Sequence, residues 1–295
     1  MRAPAALAFL AWLGPSVQFE SVSGKHRRVG DHRTPRVLVS PPLREGGTVT
    51  LSPEQTRHVV TVLRARDGAP LRLIDGENGE FAASLRLEPG RGRRAAGRAA
   101  RADVGEMLRA PAREPGPTLL FAPLKPKAMA LLAEKATELG VAELWPTRTA
   151  RTELGGAEAL DSRLRTAATE AAVQCERLTL PDIRALSTFD DVLHAWPADR
   201  PLLVAVERAV GRGVAAEPLL RVAQRLLREG GARPPALWIG PEGGWTDDET
   251  EKLTAHAAVR AVSLGPRILR AETAALAALA TIQAADLCDD PPAPP

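Results

Sequence analysis

Two short blocks near the carboxyl end hold the residues best placed to do chemistry. They are Gly240-Pro241-Glu242-Gly243-Gly244-Trp245 and Leu264-Gly265-Pro266-Arg267-Ile268-Leu269-Arg270-Ala271-Glu272-Thr273. Each follows an apolar run, residues 236–239 and 259–264, and each precedes a helical pattern. Glycines let a backbone approach a ligand closely, and prolines stiffen the loop around it. The first block is not a Walker loop, because no Gly-Lys-Ser/Thr follows, and it lacks the G-x-G-x-x-G dinucleotide spacing. It reads either as a phosphate-cradling loop or as a structural turn. In the second block Arg267, Arg270 and Glu272 crowd a helix start. Two guanidiniums there can hold phosphate or carboxylate bidentately, or an Arg–Glu pair can close the helix.

Strand-to-helix loops of this kind open a cleft at the carboxyl edge of a sheet. The chain upstream supplies such a sheet. Residues 118–122, 141–145, 201–206 and 236–239 read as strands. They alternate with helices over 128–139 (Leu131, Leu132 and Leu139 on one side, Gly140 ending it), 160–175 (apolar at Leu160, Leu164, Ala167, Ala168, Ala171 and Cys175) and 273–287 (Leu276, Leu279 and Ile282 inward). Thr246-Asp247-Asp248-Glu249 is a capping box opening a further helix. The alternation predicts a parallel α/β sheet.

Before it lies a different pattern. Residues 37–39, 48–51, 71–74 and 81–85 read as short strands around turns. Ser52-Pro53-Glu54-Gln55 starts a helix running to Arg64, with Ser as cap and Gln at the capping-box position. Together they predict a small β-rich barrel. Residues 86–101 carry Arg86, Arg91, Arg93, Arg94, Arg98 and Arg101 against the single acid Glu88, as a phosphate-contacting hairpin or a solvated loop. Residues 109–117, rich in proline, read as a linker.

Composition narrows the function classes. The chain has 295 residues, a net charge of +3, 44% hydrophobic and 25% charged residues, which describes a globular protein with room for two domains. A pI near 9.2 permits an anionic partner without requiring one. There is no tyrosine and only 3% aromatics, which argues against an RNA reader built on base stacking. Two cysteines and five histidines without ligand spacing predict neither a disulfide framework nor a metal site.

Residues 1–33 read as an extension. The apolar stretch 5–13 is too short to span a bilayer. The segment suits a gene start placed too far upstream, an organelle transit peptide, or a secretory signal without a clean cleavage site. No methionine occurs between Met1 and Met107, so a later start would use an alternative codon such as that of Val29.

Six blocks in order, covering nearly the whole chain after residue 36, resemble the ribosomal RNA small subunit methyltransferase E family. They are His58 with Val62-Leu63-Arg64; Lys135 to Val141; Glu170-Ala171-Ala172 with Gln174-Cys175; Arg177 and Pro181; Gly240 to Gly244; and Leu264 to Thr273. The family methylates N3 of a uridine in 16S rRNA, uridine 1498 in customary rRNA numbering. The resemblance implies a PUA-like β-barrel over 34–108, the linker at 109–117, a SPOUT domain with a deep trefoil knot over 118–288, and a disordered tail at 289–295. It implies S-adenosylmethionine (SAM) as cofactor, the small ribosomal subunit's 16S rRNA as substrate, a homodimer, and neither membrane nor metal. The location implied is the cytoplasm, or an organelle if residues 1–33 are a transit peptide.

By the same resemblance the cofactor falls to Ile239, Gly240, Pro241, Glu242, Gly243, Gly244, Leu264, Gly265, Ile268, Leu269, Arg270 and Thr273. Arg267, Arg270 and Glu272 are the catalytic expectations. RNA contacts are expected at Arg36, His58, Arg64, Lys125, Lys135, Arg151 and Arg177. One departure is Ala271, where the family usually has threonine. N3 of uridine must lose a proton and lies on the pairing edge, so the base must be unpaired and a base or an anion-stabilising environment must be present. Glu272 and Glu242 are both candidates for proton acceptor, and each also suits a helix-capping role. Another knotted methyltransferase acting on tRNA or ribose, a non-catalytic ribosome-assembly factor and a nucleotide-phosphate enzyme are the other readings.

Overall fold

The computed structural model describes residues 34–40, 42–88, 99–112, 114–152, 159–206, 216–229 and 234–289. The extension at 1–33, Arg91, Arg93, Arg94, Arg98 and residues 290–295 of the expected tail lie outside the described residues.

The amino-terminal part is a five-stranded sheet. Its strands are β1 (Arg36–Leu38), β2 (Thr48–Thr50), β3 (Pro70–Ile74), β4 (Glu80–Leu87) and β5 (Ala100–Arg109), in the order β1-β3-β4-β5-β2. The β1–β3 pair is parallel and the rest are antiparallel. Period-two alternation puts Leu71 and Leu73 inside with Phe81, Leu85 and Val104. Ser52 caps α1 (Pro53–Thr56) with both bonds of the expected capping box, and the helix then widens into a π-helical segment, Arg57–Val62, that seats Val59 in this core. Arg64 follows in the left-handed region, φ 56°. β5 was not foreseen: its strand continues to Arg109, the first residue of the expected linker.

The second sheet is wholly parallel. Its strands are β6 (Thr118–Phe121), β7 (Glu143–Arg148), β8 (Asp182–Ile183), β9 (Ser187–Thr188), β10 (Leu202–Ala205), β11 (Glu217–Pro218), β12 (Ala236–Ile239) and β13 (Val259–Ser263). The order is β11-β13-β10-β12-β6-β7-β8, with β9 also paired to β7. Helices α2 (Pro126–Glu138), α3 (Leu160–Gln174), α4 (Phe189–Ala195), α5 (Leu219–Arg228), α6 (Asp247–Ala255) and α7 (Ala271–Asp289) cover it.

Both faces of the sheet's centre are buried, which is why β6, β10 and β12 read as continuous apolar runs. Leu119, Phe121, Leu203, Leu237 and Ile239 pack under α2, α3, α5 and α7. Leu120, Leu202, Val204 and Trp238 face the other way, against Phe189, Trp196, Trp245 and Leu253. Two inward assignments need correction. Leu131 is 40% exposed because the core face of α2 is Met129, Leu132, Ala133 and Ala136, and Cys175 is the exposed C-cap residue of α3.

The two sheets are joined by a buried ionic cluster. Arg36 of β1 donates from Nε to Glu80 at 2.8 Å, from Nη1 to the Ala172 carbonyl at 2.8 Å and from Nη2 to the Arg177 carbonyl at 2.6 Å. Arg109 donates to the Glu176 carbonyl at 2.9 Å, and Arg72 pairs with the Glu176 carboxylate at 2.7 Å. The last carbonyls of a helix lack intrahelical partners, and guanidiniums at the end of α3 satisfy them.

Candidate functional site

Strands β12 and β13 flank β10, so the loops that leave their carboxyl ends emerge on either side of one central strand. Between them lies a cavity of about 920 Å³. Its walls are Ile239 to Trp245 from the first loop, Ile268 to Glu272 and Ala274 from the second loop and α7, Lys125, Lys127, Ala128 and Leu131 from the start of α2, and Ala205, Val206 and Thr250. This volume lies in the usual range for small-molecule sites.

The first loop is held from below by aromatic packing. Trp245 folds back so closely that a Cβ on Gly240 would lie 2.8 Å from the indole Cε2, so only glycine fits there. The indole donates to the Ala205 carbonyl at 3.2 Å and stands edge-on to Trp238, ring centres 5.5 Å apart. Thr246 caps α6 through the expected capping box, its side chain accepting the Glu249 N–H while the buried Glu249 carboxylate accepts the Thr246 N–H.

The second loop delivers Arg270 and Glu272 to the cavity. Ala271, the departure from threonine, begins α7 and is buried beside Ala275 and Leu279. The Glu272 Oε2 atom is buried, and among the described residues it has no hydrogen-bond partner. A buried acceptor without a donor is costly, of order 1–3 kcal/mol, and such atoms collect where a ligand completes the bonding. Arg270 is exposed at the rim, as are Lys125 and Lys127.

Several sequence expectations meet at this cavity and others do not. Ile239, Gly240, Pro241, Glu242, Gly243, Gly244, Ile268, Leu269, Arg270 and Glu272 line it, and so does Lys125, expected only as an RNA contact. Leu264, Gly265, Arg267 and Thr273 are not among its lining residues, and Gly265, Arg267 and Thr273 are exposed.

Two expected RNA contacts are corrected outright. Arg36 and Arg177 are 8% and 7% exposed. Arg177 is spent on Glu114 (2.7 Å) and on the carbonyls of Thr137 and Val141, each 2.9 Å, at the end of α2. Both guanidiniums serve helix ends, out of reach of a phosphate. Lys135 is half-buried, and hydrogen bonds to Glu134 and Glu138 raise its pKa. Arg151 reaches the first loop, donating to the Gly243 carbonyl at 2.7 Å. His58 and Arg64 are exposed on the first sheet's helical segment, near exposed Val62 and Leu63 and basic Arg57 and Arg66.

Missed by sequence reasoning were Lys127, Ala128, Leu131, Ala205, Val206, Trp245, Thr250 and Ala274. Ala205 and Val206 had a legible signal, since they end an apolar run beside which a cleft must open. Thr250 and Leu131 had none, because their helices reach the cavity only through tertiary packing. Among the described residues no group of three or more His, Cys, Asp or Glu is placed to hold a metal, and no helix is long and apolar enough to cross a membrane.

Comparison with known proteins bears on this geometry. Residues 113–283 match the RNA methyltransferase domain family. A ribosomal RNA small subunit methyltransferase E from Rickettsia conorii is 30% identical over 258 residues, 84% of this chain and 94% of the relative. Its namesake from Synechocystis sp. is 33% identical over 252 residues, 84% of this chain and 77% of that protein. Among solved structures, a Legionella pneumophila methyltransferase with bound SAM superposes with a TM-score of 0.69 at 30% identity, covering 86% of this chain and 98% of that one. The Neisseria gonorrhoeae ribosomal RNA small subunit methyltransferase E bound to S-adenosyl methionine gives 0.67 at 27% identity, covering 85% and 97%.

Proposed function

The chain belongs to the ribosomal RNA small subunit methyltransferase E family, and on that premise we propose that it methylates N3 of a uridine in 16S rRNA, at the position customarily numbered 1498, with SAM held in the cavity between the β12 and β13 loops. The observation that carries this reading is the cavity itself. Two strand-to-helix loops, one glycine-rich and one bearing Arg270 and Glu272, close on a single space.

The residues present fit the cofactor. Backbone at 240–244 allows close approach, the space a Cβ at Gly240 would need being filled by Trp245, and Ile239, Leu131, Ile268 and Leu269 offer apolar wall. When bound, SAM supplies an activated methyl group. The chain's own task is to align uracil N3 and manage its proton. Arg270 at the rim holds the uracil oxygen as negative charge grows on it. Glu272, whose buried Oε2 has no hydrogen-bond partner among the described residues, accepts the N3 proton directly or through a water. Lys125 and Lys127 hold the flanking phosphates, while His58 and Arg64 extend the RNA path onto the first sheet.

The same reading gives the second sheet a SPOUT-type trefoil knot, and what supports it is a strand order in which β13 lies between β11 and β10 while β12 lies between β10 and β6. It gives residues 34–108 the role of a PUA-like barrel, 109–117 that of linker, and 118–288 that of methyltransferase domain. The active form is a homodimer in the cytoplasm.

The test is methylation of small ribosomal subunits from cells lacking the activity, with nucleosides resolved by mass spectrometry against 3-methyluridine. New 3-methyluridine that disappears with Arg270→Ala is the expected result. SAM binding without transfer would point to another RNA, and absence of both would favour a non-catalytic assembly factor.

A further inference from the structure

Arg151 was expected to touch RNA, but its surroundings assign it elsewhere. It sits in a tight turn after β7. Thr149 N–H donates to Thr152 Oγ1 at 2.8 Å, and Thr152 N–H returns to the Thr149 carbonyl at 3.2 Å. The next residue, Ala150, donates its N–H to Glu249 Oε1 at 2.8 Å. Glu249 is 4% exposed, and its other oxygen accepts the Thr246 N–H at 2.9 Å. One buried carboxylate therefore ties the β7 turn to the end of the glycine-rich loop. From this anchored position Arg151 donates to the Gly243 carbonyl at 2.7 Å. Its Cβ and Cδ both lie 3.2 Å from where a Cβ on Gly243 would stand.

We infer that Arg151 is a positioning residue for the cofactor loop, and that Arg151 and Glu249 form a two-point latch setting the shape of residues 240–246. The inference rests on the SAM reading above. A glycine-rich loop has many backbone conformations to lose, so a loop held in its bound shape binds more tightly than one ordered by the ligand. The latch does this from outside the cavity, since neither Arg151 nor Glu249 lines it.

The inference separates from an RNA role by what each variant changes. Arg151→Ala removes one hydrogen bond and the packing on Gly243. It should weaken SAM binding by roughly threefold to tenfold in titration calorimetry, the size of one net hydrogen bond. KM for SAM should rise while kcat holds near the wild-type value. Arg151→Lys keeps a donor and much of the stem and should recover part of the affinity. In ligand-free protein, amides at 242–246 should exchange faster in Arg151→Ala, a readout independent of catalysis. Gly243 has no left-handed backbone requirement, so Gly243→Ala adds a Cβ against Arg151 without backbone strain, and the comparison across the two backgrounds separates that packing from any encroachment on the cavity. It should weaken SAM in wild type and less so in the Arg151→Ala background, a non-additivity expected only if the two residues touch in solution.

Unchanged SAM affinity in Arg151→Ala, with weakened and less salt-dependent RNA binding, would overturn the inference and return Arg151 to the RNA surface. Wild-type protein that fails to bind SAM would remove the cofactor reading and this inference with it. Wild-type binding that Arg151→Ala leaves untouched removes the inference alone.

Discussion

Arg36 and Glu80 form an ion pair, Nε to Oε1 at 2.8 Å, whose side chains are 3% and 1% exposed. The pair joins the first strand of one sheet to the fourth, and the same guanidinium continues to the carbonyls of Ala172, in the last turn of α3, and of Arg177, just beyond its end. Burial pulls the Arg36 pKa down, and Glu80 partly restores it. Breaking a buried pair by removing one partner costs about 3–5 kcal/mol, because the other charge stays behind. Glu80 keeps Arg72 at 3.5 Å and Arg109 at 3.3 Å, so the lower end of that range is expected for Arg36→Met. Urea unfolding should show it. RNA affinity of the folded variant, and its salt dependence, should not move. A normal midpoint with weakened RNA binding would restore Arg36 as an RNA contact.

This pair marks where sequence reading stops. The capping boxes at Ser52 and Thr246 were legible because their partners lie three residues away. The central strands β6, β10 and β12 were legible because burial on both faces writes an unbroken apolar run, whereas the two-residue strands β8, β9 and β11 carry no such run and were not foreseen. The cavity's two main loops were legible for the same reason, since each follows such a run. Arg36 and Arg177 were not. Their partners are 136 and 141 residues away for Arg36, 63, 40 and 36 for Arg177, and an arginine in sequence looks the same whether it faces a phosphate or a helix end. β5 was missed because small alanines alternate with Arg101 and Asp103 in place of a bulky apolar run, and the strand is defined by cross-strand pairing with β4 and β2.

Arg270 and Glu272 should separate activity from stability. Arg270 is exposed and Glu272 half-buried, so Arg270→Ala should shift unfolding by no more than about 0.5 kcal/mol, as is usual for surface sites. If Arg270 holds the uracil oxygen as proposed, its loss should lower methyl transfer by roughly a hundredfold or more. Glu272→Gln keeps shape but removes the proposed proton acceptor. Its kcat should fall while SAM binding, measured separately, persists. Full turnover in Glu272→Gln would assign the proton to another group, with Glu242 the next to test.

Asp75 should set part of the acid sensitivity. Burial pushes its carboxyl up, but hydrogen bonds from the Asn78, Leu43 and Glu77 backbone and from the Asn78 side chain outweigh this and hold it below the ordinary value. Asp75 is 6% exposed, and these bonds hold the turn after β3 and the segment at Leu43. With the folded pKa depressed, the contribution is fully present above the unfolded value of about 3.9 and is lost as pH falls through the folded one. Wild type should therefore lose this stability only below about pH 4. Asp75→Asn should lack it at neutral pH, by about 1–3 kcal/mol for stranded donors, and should show a flatter acid limb. Equal acid limbs in the two proteins would rule Asp75 out.

Arg64 offers the sharpest separation of backbone from charge. It holds φ 56°, a conformation that costs a non-glycine residue of order 1 kcal/mol, directly after the π-helical segment. Its side chain is exposed beside Arg57, His58 and Arg66. Strain kept at an exposed basic position fits a contact that needs that geometry. Arg64→Gly relieves the strain and removes the charge, so stability should rise or hold while RNA affinity falls. The slope of log affinity against log salt should decrease by about 0.7–0.9, the value for one lost phosphate contact. Lys125→Ala, at the mouth of the cavity, should lower the slope by a similar amount. Arg177→Met should leave it unchanged, because that guanidinium already serves Glu114 and two carbonyls inside the protein. If Arg177→Met lowered the slope as much as Arg64→Gly, burial would be a poor guide to which arginines meet RNA, and the path from the first sheet to the cavity would have to be redrawn.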